Sequence, residues 1–143
     1  MSSAVDRMLE SKNELLTAEA RSAKALRRLK HTKADLETLL MCSVAEIEFK
    51  PEGEDKYRRI VCTSNKRLVN VFKAKKPKDR DRALTSPFAG MRTRDRNSVL
   101  TYDLEEGSLK TVSLKSWRAV NFVMLTEDNV LVLDALLKEC LRR

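Results

Sequence analysis

No glycine or proline interrupts the first fifty residues of this chain; the three prolines and three glycines all fall between Pro51 and Gly107. A stretch without residues that free or lock the backbone can run as one long helix. Ala, Leu, Glu, Lys and Arg dominate it, and all are good helix formers. A helix is therefore expected from about Ser3 to Met41, with Ser3 as its cap and Asp6 favourably placed in its first turn. A three/four spacing picks out Met8, Leu15, Leu26, Leu29, Leu36 and Leu40, interrupted in register by Lys12, Glu19, Ser22 and Lys33. So narrow an apolar stripe cannot bury itself. Residues 1–41 thus read as a helical arm, a coiled coil whose partner interface is Leu15, Leu26, Leu29, Leu36 and Leu40. Its expected cover is a copy of the same chain, a helix of another protein, or in part the domain that follows, giving a homo- or hetero-oligomer in the first two cases, and a single solvated helix is the alternative.

After Cys42 the apolar period changes from 3.6 to two. Ala45, Ile47 and Phe49 alternate with Glu46, Glu48 and Lys50, which predicts a half-buried strand with the glutamates facing solvent. Pro51-Glu52-Gly53-Glu54 has turn chemistry and leads to a second strand, Tyr57 to Thr63. Ser64-Asn65-Lys66 reads as the next turn, with Asn65 in a left-handed conformation, and Arg67 to Ala74 as a third strand rich in Val, Leu and Phe. Connections this short require antiparallel neighbours. Residues 75–96 read as a long basic loop. Val99–Leu104 and Leu109–Leu114 form a hairpin around Glu105-Glu106-Gly107-Ser108, and Val120, Phe122 and Met124 mark a sixth strand. A closing helix follows, with Thr126 as its cap, Glu127 and Asp128 in its first turn, and Val130, Leu133, Leu137 and Cys140 on its buried stripe. The fold class is α+β: a curled antiparallel sheet of about six strands over residues 42–143, capped by a C-terminal helix and preceded by the helical arm.

Charge is distributed unevenly. The chain carries a net +8, yet residues 58–96 hold thirteen Lys and Arg against three Asp, a local +10 that leaves −2 for the rest. Such a field selects anionic partners. Catalytic chemistry lacks its usual components. The only histidine is His31, in the charged arm, and the three glycines are too isolated to form a phosphate-cradling loop. Cys42, Cys62 and Cys140 have neither disulfide nor metal-ligand spacing. No enzyme activity, cofactor or metal is expected. With no signal-like start and no long apolar run, a cytoplasmic chain is expected, working at the periphery of a membrane or cytoskeletal structure.

Two sets of cations can serve as a site for acidic phosphate. Lys50, Lys56 and Arg58 flank the first hairpin, where Arg could bind bidentately and Lys as a point charge. Lys73, Lys75, Lys76, Lys78, Arg80 and Arg82 lead into the basic loop, and Arg92, Arg94 and Arg96 follow. Leu84, Phe88 and Met91 form an apolar island between these groups.

The run Tyr57 to Phe72, YRRIVCTSNKRLVNVF, resembles the early strand–turn–strand of pleckstrin-homology-like (PH-like) domains. Asn121 to Asp128 and the helix after it are similar to that family's last strand and capping helix. The resemblance covers residues 44 to 142 and implies phosphoinositide binding by Lys50, Lys56 and Arg58. A second resemblance, to kinetochore-type proteins in which a coiled coil leads into an RWD-like domain, rests on the order of the two parts. The leading expectation is a non-catalytic adaptor that binds acidic phosphate or phosphoinositide at a membrane surface and oligomerises through its helix. The alternatives are a structural protein–protein module of kinetochore or tether type and, with less support, a nucleic-acid binder, since aromatic side chains for base stacking are sparse.

Overall fold

The computed structural model describes residues 4–10, 32–51 and 53–141. Among them the elements run α1 (Ala4–Glu10), α2 (Lys33–Met41), β1 (Ser43–Phe49), β2 (Arg58–Thr63), α3 (Lys66–Lys73), α4 (Pro77–Ala83), β3 (Ser98–Asp103), β4 (Ser108–Ser113), β5 (Arg118–Met124) and α5 (Val130–Cys140). The architecture is α+β, with one antiparallel sheet in the order β4-β3-β2-β1-β5 and a C-terminal helix. The sheet has five strands, one fewer than the sequence suggests.

The sheet is forced to curl. Its two edge strands, β4 and β5, are consecutive in the chain and joined only by Leu114 to Trp117. In a flat sheet, four inter-strand gaps would separate them by roughly 19 Å in the pairing direction alone. The linker reaches about 17 Å at full extension, and it is shortened further by a turn in which Ser116 N–H donates to the Ser113 carbonyl at 3.2 Å. Only a sheet rolled towards a barrel brings these edges within reach.

Two apolar clusters result. Inside the curl, Leu36, Leu39 and Leu40 of α2 pack on Ala45, Ile47, Phe49, Ile60, Cys62 and Trp117. On the opposite face, Val44, Val61 and Val123 are covered by Val5 and Met8 of α1, Leu68 and Val71 of α3, and Leu133 and Leu137 of α5. Leu36 and Leu40, read from the sequence as a partner interface, are 1% and 0% exposed and plug the curled sheet. Leu15, Leu26 and Leu29 lie outside the described residues, as do Ser3 and His31.

The continuous helix expected through Met41 is broken at Thr32. Its backbone is extended (φ −83°, ψ 155°), and its side chain caps α2 by accepting from Asp35 N–H. The C-terminal end of α2 is fastened equally well, because a helix terminus leaves carbonyls unpaired. Ser43 Oγ donates to the Leu39 carbonyl at 2.5 Å, Ser64 N–H to that of Leu40 at 2.9 Å, and Asn65 Nδ2 to that of Met41 at 2.9 Å.

The predicted third strand, Arg67 to Ala74, is instead helix α3. Asn65 is not left-handed (φ −78°); its Oδ1 accepts from Leu68 N–H at 3.1 Å and caps the helix. Leu68, Val69, Val71 and Phe72 also satisfy helical spacing, and the β-branched residues obscured that pattern. Replacing Asn65 by Ala removes both the cap and the bond to Met41. We expect a loss of about 2 kcal/mol from the two together, read as a lower urea midpoint.

Residues 75–96 are not one open loop. They contain α4, with Pro77 at its first turn. The rest is pinned where Lys66 N–H donates to Ala89 O at 2.9 Å and Met91 N–H to Ser64 O at 2.8 Å. Arg67 lies 5.5 Å from the centre of the Phe88 ring. The closing helix α5 starts at Val130, beyond the expected cap at Thr126; Asn129 Oδ1 accepts from Thr126 N–H and shapes the turn before it. Among the described residues, no helix is long and apolar enough to cross a membrane.

Candidate functional site

The candidate site lies where α3 ends, between α5 and the β3–β4 turn. Phe72, Lys73, Ala74, Lys75, Tyr102, Gly107 and Lys138 line a cleft there. α3 sets the position of Lys73, which ends the helix and lies 5.9 Å from the Tyr102 ring centre. The opposite wall is held by Asp103. Its Oδ1 accepts from the backbone N–H groups of Glu105 and Glu106, each at 3.0 Å, and its carbonyl accepts from Gly107 N–H at 2.8 Å.

Gly107 has φ +70°, and a Cβ built on it would meet Tyr102 Oη at 3.5 Å. Glycine is favoured here by that left-handed backbone, while a Cβ would make only an ordinary contact with the phenol. Burial, then the neighbouring Asp103 charge, push the Tyr102 phenol above its ordinary pKa. It stays a neutral O–H group in a cleft that it shares with three lysines.

Lys138 reaches the cleft from the last turn of α5. Its Nζ bonds to Asp134 Oδ2 at 3.1 Å, and Arg80 bonds to the same oxygen at 2.9 Å. Asp134 is fully buried. It thus holds the ammonium group of Lys138, which it shares with Arg80, while the Lys138 side chain remains 43% exposed. The i,i+4 spacing from Asp134 is the signal in the sequence that marks Lys138; read only as a counter-charge to the helix end, it escapes notice.

The structure divides the cations predicted from sequence. Lys73 and Lys75 converge on the cleft. Arg82 lies in an adjoining groove with Asn70, Lys73, Asp79 and Ser86. Lys76 and Lys78 are exposed at the start of α4. Arg80 is committed to buried Asp134. Arg58 is held in a two-pronged pair by Glu54, Nε to Oε2 at 3.0 Å and Nη2 to Oε1 at 2.6 Å. Lys50 and Lys56 are exposed beside it. Among the described residues, no carboxylate lies within ion-pair distance of Lys50, Lys56, Lys73, Lys75, Lys76, Lys78 or Arg82.

Glu46 and Glu48 do not share the solvent-facing role expected of them. Glu46 is 1% exposed, because helices cover its face of the sheet as well. Glu48 binds two arginines, Arg59 at 2.5 Å and Arg118 at 2.6 Å. Hydrogen bonds from Arg59, then from Arg118, hold the Glu48 carboxyl below its ordinary value of 4.5. A carboxyl depressed in the folded state adds stability above its unfolded pKa and loses it as pH falls through the folded value. Glu48→Gln is therefore expected to be the less stable protein at pH 7, with the gap closing below about pH 4. Urea midpoints across that window check this.

Cys62 is fully buried inside the curl, and burial pushes its thiol up to about 12. It stays protonated and inert at neutral pH. Among the described residues, no group of three or more His, Cys, Asp or Glu is placed to hold a metal. No family model, curated protein or solved structure matches the chain.

Proposed function

We propose that this protein is a non-catalytic binding module that takes an acidic phosphate ligand in the cleft formed by Lys73, Lys75, Lys138 and Tyr102. The observation that carries this reading is the convergence of Lys73 at the end of α3, Lys75 in the link to α4 and Lys138 in the last turn of α5 around a neutral phenol and a bare glycine backbone. Neither Lys73 nor Lys75 has a carboxylate within ion-pair distance among the described residues. A phosphate has three or more acceptor oxygens and no donors when ionised, so ammonium and phenol hydrogens satisfy it without proton transfer.

Isothermal titration with inositol hexakisphosphate tests the reading. Saturable binding that weakens with salt is expected, and no heat at low salt would remove the cleft as a phosphate site.

Self-association through residues 11–31 is a separable part of the proposal. Deleting residues 1–41 cannot test it, since Val5, Met8, Leu36 and Leu40 are core residues. Serine at Leu15, Leu26 and Leu29 is the suitable variant: a drop in mass by sedimentation equilibrium supports an oligomer, and an unchanged mass argues against this stripe as its interface.

A further inference from the structure

We infer that Ser86 is a phosphorylation site for a proline-directed protein kinase, and that its phosphate draws Lys73 out of the cleft. The modification site stands on the groove between α3 and α4, whereas its effect on the cleft rests on the phosphate-binding reading above.

α3 presents Arg67, Asn70 and Lys73 at intervals of three, hence along one face. All three meet at the same serine. Arg67 Nε donates to the Ser86 carbonyl at 2.8 Å, and Asn70 Nδ2 donates to Ser86 Oγ at 3.0 Å. Lys73 and, from α4, Arg82 line the groove that Ser86 also lines. Among the described residues, none of Arg67, Lys73 and Arg82 has a carboxylate within ion-pair distance. Asp79 lines the groove as well, one carboxylate against these three cations.

The two neighbouring hydroxyls differ in their duties. Thr85 Oγ1 donates to the Arg82 carbonyl at 2.7 Å, whereas Ser86 Oγ accepts from Asn70 and donates to no described residue. Thr85 and Pro87 are exposed on either side of Ser86, and Pro87 is the following residue that such kinases select. The kinase brings ATP as the phosphoryl donor. The bond from its γ-phosphorus to the bridging oxygen breaks, the bond to Ser86 Oγ forms, ADP leaves, and the hydroxyl proton passes to the kinase's catalytic base. The product carries a charge of about −2 and three acceptor oxygens at pH 7. The Asn70 amide and the surrounding cations are the donors that match it.

Lys73 belongs to both places. Its ammonium lies 5.9 Å from the Tyr102 ring centre in the cleft, and the same residue lines the Ser86 groove. A flexible four-carbon stem lets one ammonium serve either anion, but not both at once. Phosphorylation therefore supplies an internal anion that competes with the external one.

The test treats the full chain with a purified proline-directed kinase, ATP and Mg2+, and maps the product by peptide mass spectrometry. Phosphate at Ser86, lost in Ser86→Ala, is expected; its absence from Ser86 overturns the inference. Phosphorus NMR should show the phosphoserine titrating below its ordinary value of about 6, and Arg82→Gln should raise it again. An ordinary titration in both proteins means that the cations do not hold the phosphate, and this too overturns the inference. Binding of inositol hexakisphosphate should be about tenfold weaker after phosphorylation. Lys73→Gln should weaken the unmodified protein yet add little to the phosphorylated one, because the same cation is lost in both. Unchanged affinity, or fully additive losses, sinks the competition for Lys73. If the unmodified chain takes up no inositol hexakisphosphate, the cleft and the competition fail together, and the phosphorus titration still decides whether Ser86 phosphate is held.

Discussion

Reversing Lys73 and Lys75 together to Glu is expected to weaken inositol hexakisphosphate binding by about a hundredfold. A cation close to an anionic surface is worth roughly 1 kcal/mol. Removing two cations and installing two repelling carboxylates therefore costs about 4 kcal/mol before screening. Counter-ions at physiological salt, with a Debye length of about 8 Å, cut into that figure without abolishing it. About 2.7 kcal/mol corresponds to a hundredfold in affinity. The control is Lys76→Glu with Lys78→Glu, which changes the net charge equally at exposed positions around the start of α4, outside the cleft. That variant should lose only a few fold. Equal losses in the two variants would mean that a diffuse field, and not a built site, attracts the ligand.

Leu40→Ala is expected to destabilise the folded chain by about 2–5 kcal/mol, the usual range for deleting a leucine side chain from a packed core. Leu40 is fully buried among β1, β2 and the rest of α2, and its carbonyl also accepts from Ser64 N–H. The cavity would open inside the curl, where a half-closed barrel has little freedom to collapse. Urea unfolding measures the effect. Were Leu40 a coiled-coil contact, as the heptad-like stripe suggests, the same substitution would lower association and spare the unfolding midpoint at low concentration. Measuring both quantities on one sample separates the two roles.

The same residue shows why sequence pattern alone misplaced part of the structure. A stripe of leucines reports that a helix has an apolar face, and says nothing of what covers it. In α2 the cover is the chain's own sheet. Arg67 to Ala74 failed for a different reason. Val and Phe suit strands and helices alike once buried, and the Asn65 side chain that caps α3 is also a common turn residue. Glu46 and Glu48 followed strand alternation correctly, yet alternation does not reveal that helices blanket the second face as well.

Local chemistry was sufficient for much else. Period-two alternation located β1, the Pro51–Glu54 turn placed β2 after it, the Gly107 turn located the β3–β4 hairpin, and the apolar stripe located α5. The concentration of cations between residues 58 and 96 is likewise a property of the sequence. Only the tertiary structure decided which of those charges remain available. Arg58 is held by Glu54, and Arg80 and Lys138 share Asp134, whereas Lys73 and Lys75 keep no such partner among the described residues and meet Lys138, from a helix more than sixty residues away, in one cleft. Secondary structure follows from neighbours along the chain. A binding cleft is a coincidence of distant segments, and it exists only after the sheet has curled and the helices have packed against it.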